Sequence, residues 1–162
     1  MVDGQKRTIV VRVVDGQIEG AAADAGAVVR RIAGDRMRSG IPIGTREADE
    51  LELTVNGEAV PLSAGKGRLS RRSFRVAFEY RGADYVFGPV TDDESALSRG
   101  GVELARYFIN ADDQVEFFDD GAQTPTATES AVGVTVAAAF GCGAMHGFGA
   151  FVEALVNGAG QT

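Results

Sequence analysis

Through much of this chain, apolar and polar residues alternate over short stretches that end at turn signals. Thr8 to Val14 is rich in β-branched residues and runs into Asp15-Gly16, a pair that favours a tight hairpin turn, with Gln17 to Glu19 as the return strand. Leu51, Leu53 and Val55 alternate with Glu50, Glu52 and Thr54, the period of a strand with one dry and one wet face. Asn56-Gly57 then turns the chain, and Ala59 to Leu62 returns, with Pro61 arguing that this return strand lies at a sheet edge or stops early. Phe74, Val76, Phe78 and Tyr80 share a face opposite Arg75, Ala77 and Glu79. Arg81 to Asp84 is the expected turn, and Tyr85, Val86 and Phe87 lead back. Val115, Phe117 and Phe118 form a further short strand between Asp112, Asp113 and Asp119, Asp120.

Helical spacing enters elsewhere. Ala25, Val28, Val29 and Ile32 fall along one side of a helix predicted from Ala21 to Met37, weakened by Gly26 and Gly34, with Gly40 and Pro42 marking the loop beyond. Thr91 followed by Glu94 matches a capping box and predicts a short helix, interrupted at Arg99-Gly100-Gly101. Val102, Ala105 and Ile109 predict another helical segment. A second capping box, Thr126 with Glu129, and the run Ala137-Ala138-Ala139 favour a helix with Val132, Thr135, Val136, Ala139 and Phe140 on one face, while Val132, Val134 and Val136 also fit a strand. Gly141 and Gly143 break it, after which Ala144, Phe148, Phe151 and Leu155 recur at helical spacing as far as Asn157-Gly158.

The expected fold class is therefore α+β: a hairpin-rich antiparallel or mixed sheet with packed helices and a glycine-rich apolar C-terminal helical region. Residues 1–121 form a mainly β core region, 122–128 a linker, and 129–158 the apolar helical region, packed on the core or in an oligomer interface. Residues 131–152 carry no formal charge, and a contiguous apolar surface of that size calls for a cover. The run has the length of a bilayer span, roughly 17–25 residues. Its many Ala and Gly, its central His146 and its acidic flanks Glu129 and Glu153 favour a protein environment instead.

Composition narrows the classes. The chain has 162 residues, with 44% hydrophobic and 24% charged side chains, which suits a folded protein. A net charge of -7 opposes binding to nucleic acid or an anionic bilayer unless a local patch overrides it. A single Cys excludes an internal disulfide and an all-cysteine metal site, and makes the cytoplasm the expected compartment.

Few residues suggest chemistry. Cys142 and His146, the chain's sole Cys and His, would share a helix face and are the weak catalytic candidates for a thiol-dependent enzyme. With no third partner evident, packing explains them as well. The pair supplies too few ligands for zinc, and Asp112, Asp113, Glu116, Asp119 and Asp120 lack the spacing of a calcium loop, so neither a metal nor a cofactor is expected. Lys66, Arg68, Arg71, Arg72 and Arg75 form the dense basic run, a candidate contact for nucleic acid or another acidic partner, though Gly65-Lys66-Gly67 does not match a phosphate-binding loop. Phe140, Phe148, Phe151 and Leu155 are the candidate interface. The expectation is a non-catalytic binding, accessory or structural protein, associating with itself or a protein partner through its C-terminal region. A thiol-dependent enzyme or a membrane-anchored protein stands as the alternative.

Overall fold

Among the described residues eleven strands, of which Gln17–Ala22, Ala25–Arg31 and Leu51–Val55 bury alternate positions most clearly, assemble into two antiparallel meanders that pack around one α-helix. A computed structural model describes residues 9–14, 16–34, 37–38, 41–66, 71–112, 114–119 and 123–143. The first sheet is built in chain order from β1 (Ile9–Val14), β2 (Gln17–Ala22), β3 (Ala25–Arg31), β4 (Leu51–Val55) and β5 (Glu58–Val60). The second comprises β6 (Leu62–Ala64), β7 (Val76–Tyr80), β8 (Ala83–Pro89), β9 (Glu94–Arg99), β10 (Val102–Ile109) and β11 (Val115–Phe118), again in chain order across the sheet. Every pairing is antiparallel, so the fold is a mixed α+β architecture made from local connections. Pro61 sits where the chain leaves one sheet for the other, a place that needs no ladder donor.

The hairpins expected at Asp15-Gly16 and Asn56-Gly57 form, with Val14 opposite Gln17 and Val55 opposite Glu58. The next turn is tighter than its sequence suggests: Tyr80 already pairs with Ala83, leaving only Arg81 and Gly82 between the strands. Phe74 belongs to a short 3-10 turn, Arg71–Phe74, and β7 starts two residues later at Val76.

Three expected helices are strands. The residues Ala21 to Met37 contain the end of β2, a tight turn with Ala23 at φ 54, and β3. Ala25, Ala27 and Val29 point inward at strand period, whereas Ile32, assigned to the apolar helix face, is exposed. At Thr91 the cap chemistry is present without the helix. Thr91 Oγ1 accepts from the amides of Asp93 and Glu94, but the Glu94 carboxylate faces Arg106 at 3.7 Å and the chain continues as β9. Gly100-Gly101 is a hairpin turn rather than a helix break, and Val102 to Ile109 is β10. A bulge between Glu103 and Ala105 buries Leu104 and Ala105 side by side.

The helix α1 (Ala127–Phe140) begins with the expected capping box. Glu129 N donates to Thr126 Oγ1 over 3.1 Å and Thr126 N to Glu129 Oε1 over 2.9 Å, which satisfies two amides that a helix start otherwise leaves unpaired. From Glu129 to Phe140 every residue is buried, so the helix has no wet face. It packs on β1, β2 and β3 from one sheet and on β10 and β11 from the other. Small residues permit this: Gly20 on β2 lies so close that an added Cβ would stand 2.1 Å from Thr135 Oγ1, and Gly133 lies against the Tyr107 ring. The helix ends at Phe140, and Ile43 N donates to Ala139 O over 3.0 Å near that end. Thus residues 131–140 and Cys142 of the uncharged run are buried, with Gly141 and Gly143 half-buried beside them. Among the described residues no helix is long and apolar enough to cross a membrane. The helical spacing expected after Gly143 lies outside the described residues.

Candidate functional site

A cleft of about 250 Å³ opens where α1 begins. Its walls come from the β4–β5 turn (Asn56), the β7–β8 hairpin (Phe78, Tyr80, Arg81 and Tyr85), β9 (Leu97 and Arg99) and the first turns of α1 (Thr126, Thr128, Glu129 and Val132). Phe78 and Tyr85 stand opposite one another in the hairpin and stack, with ring centroids 5.1 Å apart and planes 8° from parallel. With Leu97 and Val132 they form the apolar part of the lining.

The polar part is organised around Glu129. Its Oε2 accepts from Tyr85 Oη at 2.9 Å and from Arg99 Nη1 at 2.6 Å, while Oε1 holds the Thr126 amide. Arg99 also donates to Gln123 Oε1. Burial by itself would raise the Glu129 carboxyl, yet the Thr126 amide, the Tyr85 hydroxyl and the Arg99 guanidinium outweigh it and hold the group below the ordinary glutamate range. Burial and the hydrogen bond to Glu129 raise the Tyr85 hydroxyl, and the carboxylate charge raises Arg99. Glu129 is thus a fixed anion within a structural network. Asn56 clamps the rim, accepting from Gly26 N at 2.9 Å and donating through Nδ2 to Thr128 Oγ1 at 3.1 Å.

One lining group is left over. The Tyr80 hydroxyl oxygen is shielded from solvent and has no hydrogen-bond partner among the described residues. A buried polar atom in that state costs roughly 1–3 kcal/mol. Neither Tyr80 nor the Glu129 network stands out in the sequence, where the tyrosines have the period of core residues and Glu129 has the position of a helix cap.

The residues singled out by sequence lie elsewhere. Cys142 is buried, and burial pushes its thiol far above the usual cysteine range, which opposes a nucleophilic thiolate. It borders a depression of about 320 Å³ with Asp93, Glu94, Phe108 and Ile109. His146, Phe148, Phe151 and Leu155 lie outside the described residues, so the Cys142–His146 pair and most of the candidate interface do too. Phe140 is inside the core, where its ring packs 5.3 Å from the Arg46 guanidinium carbon.

Lys66, Arg72 and Arg75 are exposed around the loop between β6 and β7, Arg71 opens the 3-10 turn, and Arg68 lies outside the described residues. Arg46 holds the base of this loop, donating from Nε to Gly65 O at 2.6 Å and from Nη2 to Phe74 O at 2.8 Å. Its guanidinium is buried between Phe74 and Phe140, and burial followed by repulsion from Arg38 lowers it to about 10. The acidic stretch has a structural use: Asn110 Oδ1 accepts from the amides of Asp112 and Gln114, closing the β10–β11 turn, while Asp112, Glu116 and Asp119 are exposed. Among the described residues no cluster of three or more His, Cys, Asp or Glu side chains is placed to hold a metal ion.

No family model, curated protein or solved structure matches this chain.

Proposed function

We propose that this chain is a non-catalytic binding protein that takes a small ligand in the cleft at the start of α1. The observation that carries the reading is Tyr80, whose shielded hydroxyl lacks a partner and which lines a cleft combining stacked rings with polar groups. Binding sites pair an apolar lining with a few placed polar atoms in this way. Because that hydroxyl is shielded in the free protein, a ligand oxygen recovers its hydrogen bond only when the Tyr80 side chain shifts to present it to the cleft. The non-catalytic part of this reading is supported by Glu129, which three donors hold ionised, a poor arrangement for exchanging a proton near neutral pH.

The test is an NMR titration of the full ¹⁵N-labelled chain with three single-ring probes: phenol, benzamide and benzoate. Saturable shifts of Tyr80, Arg81, Arg99 and Thr128 amides are expected with at least one probe, at dissociation constants on the order of 1 mM for molecules this small. If none of the three perturbs those amides, the cleft is only a surface feature and the proposal fails.

A further inference from the structure

Resting on that cleft reading, we infer that the ligand class is a small organic anion, an apolar body ending in a carboxylate. The argument is a census of donors and acceptors around the cleft. Both Glu129 oxygens are engaged, Oε1 by the Thr126 amide and Oε2 by Tyr85 and Arg99. Asn56 Oδ1 is taken by the Gly26 amide, Thr126 Oγ1 by the Glu129 amide, and Thr128 Oγ1 by Asn56 Nδ2.

Donors remain. The Tyr80 hydroxyl has no partner among the described residues, and Thr128 Oγ1 and Asn56 Nδ2, bonded to each other, each carry a further hydrogen to offer. Arg81 lies at the rim with its side chain 73% exposed, and its approach to Glu58 is a loose 4.0 Å. Such an exposed pair contributes little and gives way readily to a better acceptor. Its guanidinium stacks 5.4 Å from the centre of the Tyr80 ring, so this loosely paired cation and the residue with the unpartnered hydroxyl belong to one corner of the cleft.

Charge points the same way. Of the charged lining groups, Arg99 is engaged by Glu129, which leaves Arg81, shared only loosely with Glu58 over 4.0 Å, as the cation that a ligand at the rim would meet. A carboxylate has oxygens that accept and no hydrogen to donate, which complements a lining with donors to spare. The apolar remainder of the ligand would lie toward Phe78, Tyr85, Leu97 and Val132. The volume, about 250 Å³, falls below the roughly 300–1,000 Å³ of drug-sized sites, which favours a single-ring or short-chain acid.

Benzoate and its neutral isostere benzamide separate this inference from the reading beneath it. Benzoate is expected to bind at least about fivefold more tightly than benzamide at low salt, and to lose most of that advantage in 0.5 M sodium chloride, where screening is strong. Arg81→Asn, chosen because Asn accepts the left-handed backbone found there (φ 51), should weaken benzoate about fivefold and leave benzamide unchanged. Tyr80→Phe should weaken benzoate by a similar factor. Amide dispersion in each spectrum reports folding, and Arg81→Asn, on an exposed turn, decides the matter even if Tyr80→Phe perturbs the core. Equal affinity for the two probes, or indifference of benzoate to Arg81→Asn, overturns the anion assignment while leaving the cleft a binding site. If phenol alone moves the cleft amides, the anion assignment falls and the cleft remains a binding site; if none of the three probes moves them, both the assignment and the binding proposal fall.

Discussion

At the scale of the residue, Glu129 serves two structures at once. One oxygen closes the capping box and the other ties β8 and β9 to the helix through Tyr85 and Arg99. Its carboxyl lies below the ordinary range in the folded protein, so the stabilisation is complete above the unfolded value of about 4.3 and is lost as pH falls through the lower folded value. Glu129→Gln keeps the shape and removes the charge. It is expected to cost about 1–3 kcal/mol at pH 7. Urea unfolding at pH 7, 5 and 3.5 should show the gap between wild type and variant narrowing in acid, as the wild-type carboxylate protonates. A gap that does not change with pH would mean that the charge contributes nothing and that the loss comes from hydrogen bonds the amide fails to accept. The capping half of this role is legible as Thr126 followed three residues later by Glu129. The other half is not, because Tyr85 and Arg99 are 44 and 30 residues away and reach Glu129 only when β8 and β9 pair.

Elements were legible where one face is wet. β4 and β7 alternate large apolar with polar residues, and Asn-Gly or Arg-Gly marks the following turn. β2 and β3 hide their identity because they carry the helix: Gly20, Ala22, Ala25 and Ala27 keep their inner faces shallow, and small residues at close spacing also satisfy a helical period. Gly20→Ala examines this directly. The new Cβ would meet Thr135 Oγ1 at 2.1 Å and the Ala131 carbonyl at 3.1 Å, just where Thr135 donates to Ala131 O. A loss of about 1–3 kcal/mol in chemical denaturation is expected from this overpacking. Adding Thr135→Ala should return part of it, since the hydroxyl is the nearest obstacle, and the double mutant should be more stable than the sum of the single changes. Additive losses would show that β2 and α1 are not in the contact described. The candidate cleft was less legible still, because its lining is drawn from two hairpins, β9 and the helix start, each of which looks locally like ordinary core or turn.

At the scale of the molecule, a helix without a polar face needs both sheets around it, so the apolar run that the sequence leaves unassigned is, as far as Gly143, the centre about which the meanders close. Cys142 lies just past that helix and reports on the whole enclosure. Its side chain is buried and its thiol is driven well above the usual range, so attack by a thiol reagent requires the surrounding structure to open. With 5,5′-dithiobis(2-nitrobenzoate) at pH 8, labelling of the native chain should be slower than that of the urea-unfolded chain by about a thousandfold or more, the factor set by an opening free energy of at least about 4 kcal/mol. Gly20→Ala, which loosens the helix seat, should accelerate it in proportion to the stability lost. Rapid labelling of the native protein, with a rate already at its plateau below pH 7, would instead reveal an accessible thiolate. That outcome would restore the thiol-dependent enzyme reading at Cys142 and place the chemistry at the far end of the helix from the cleft.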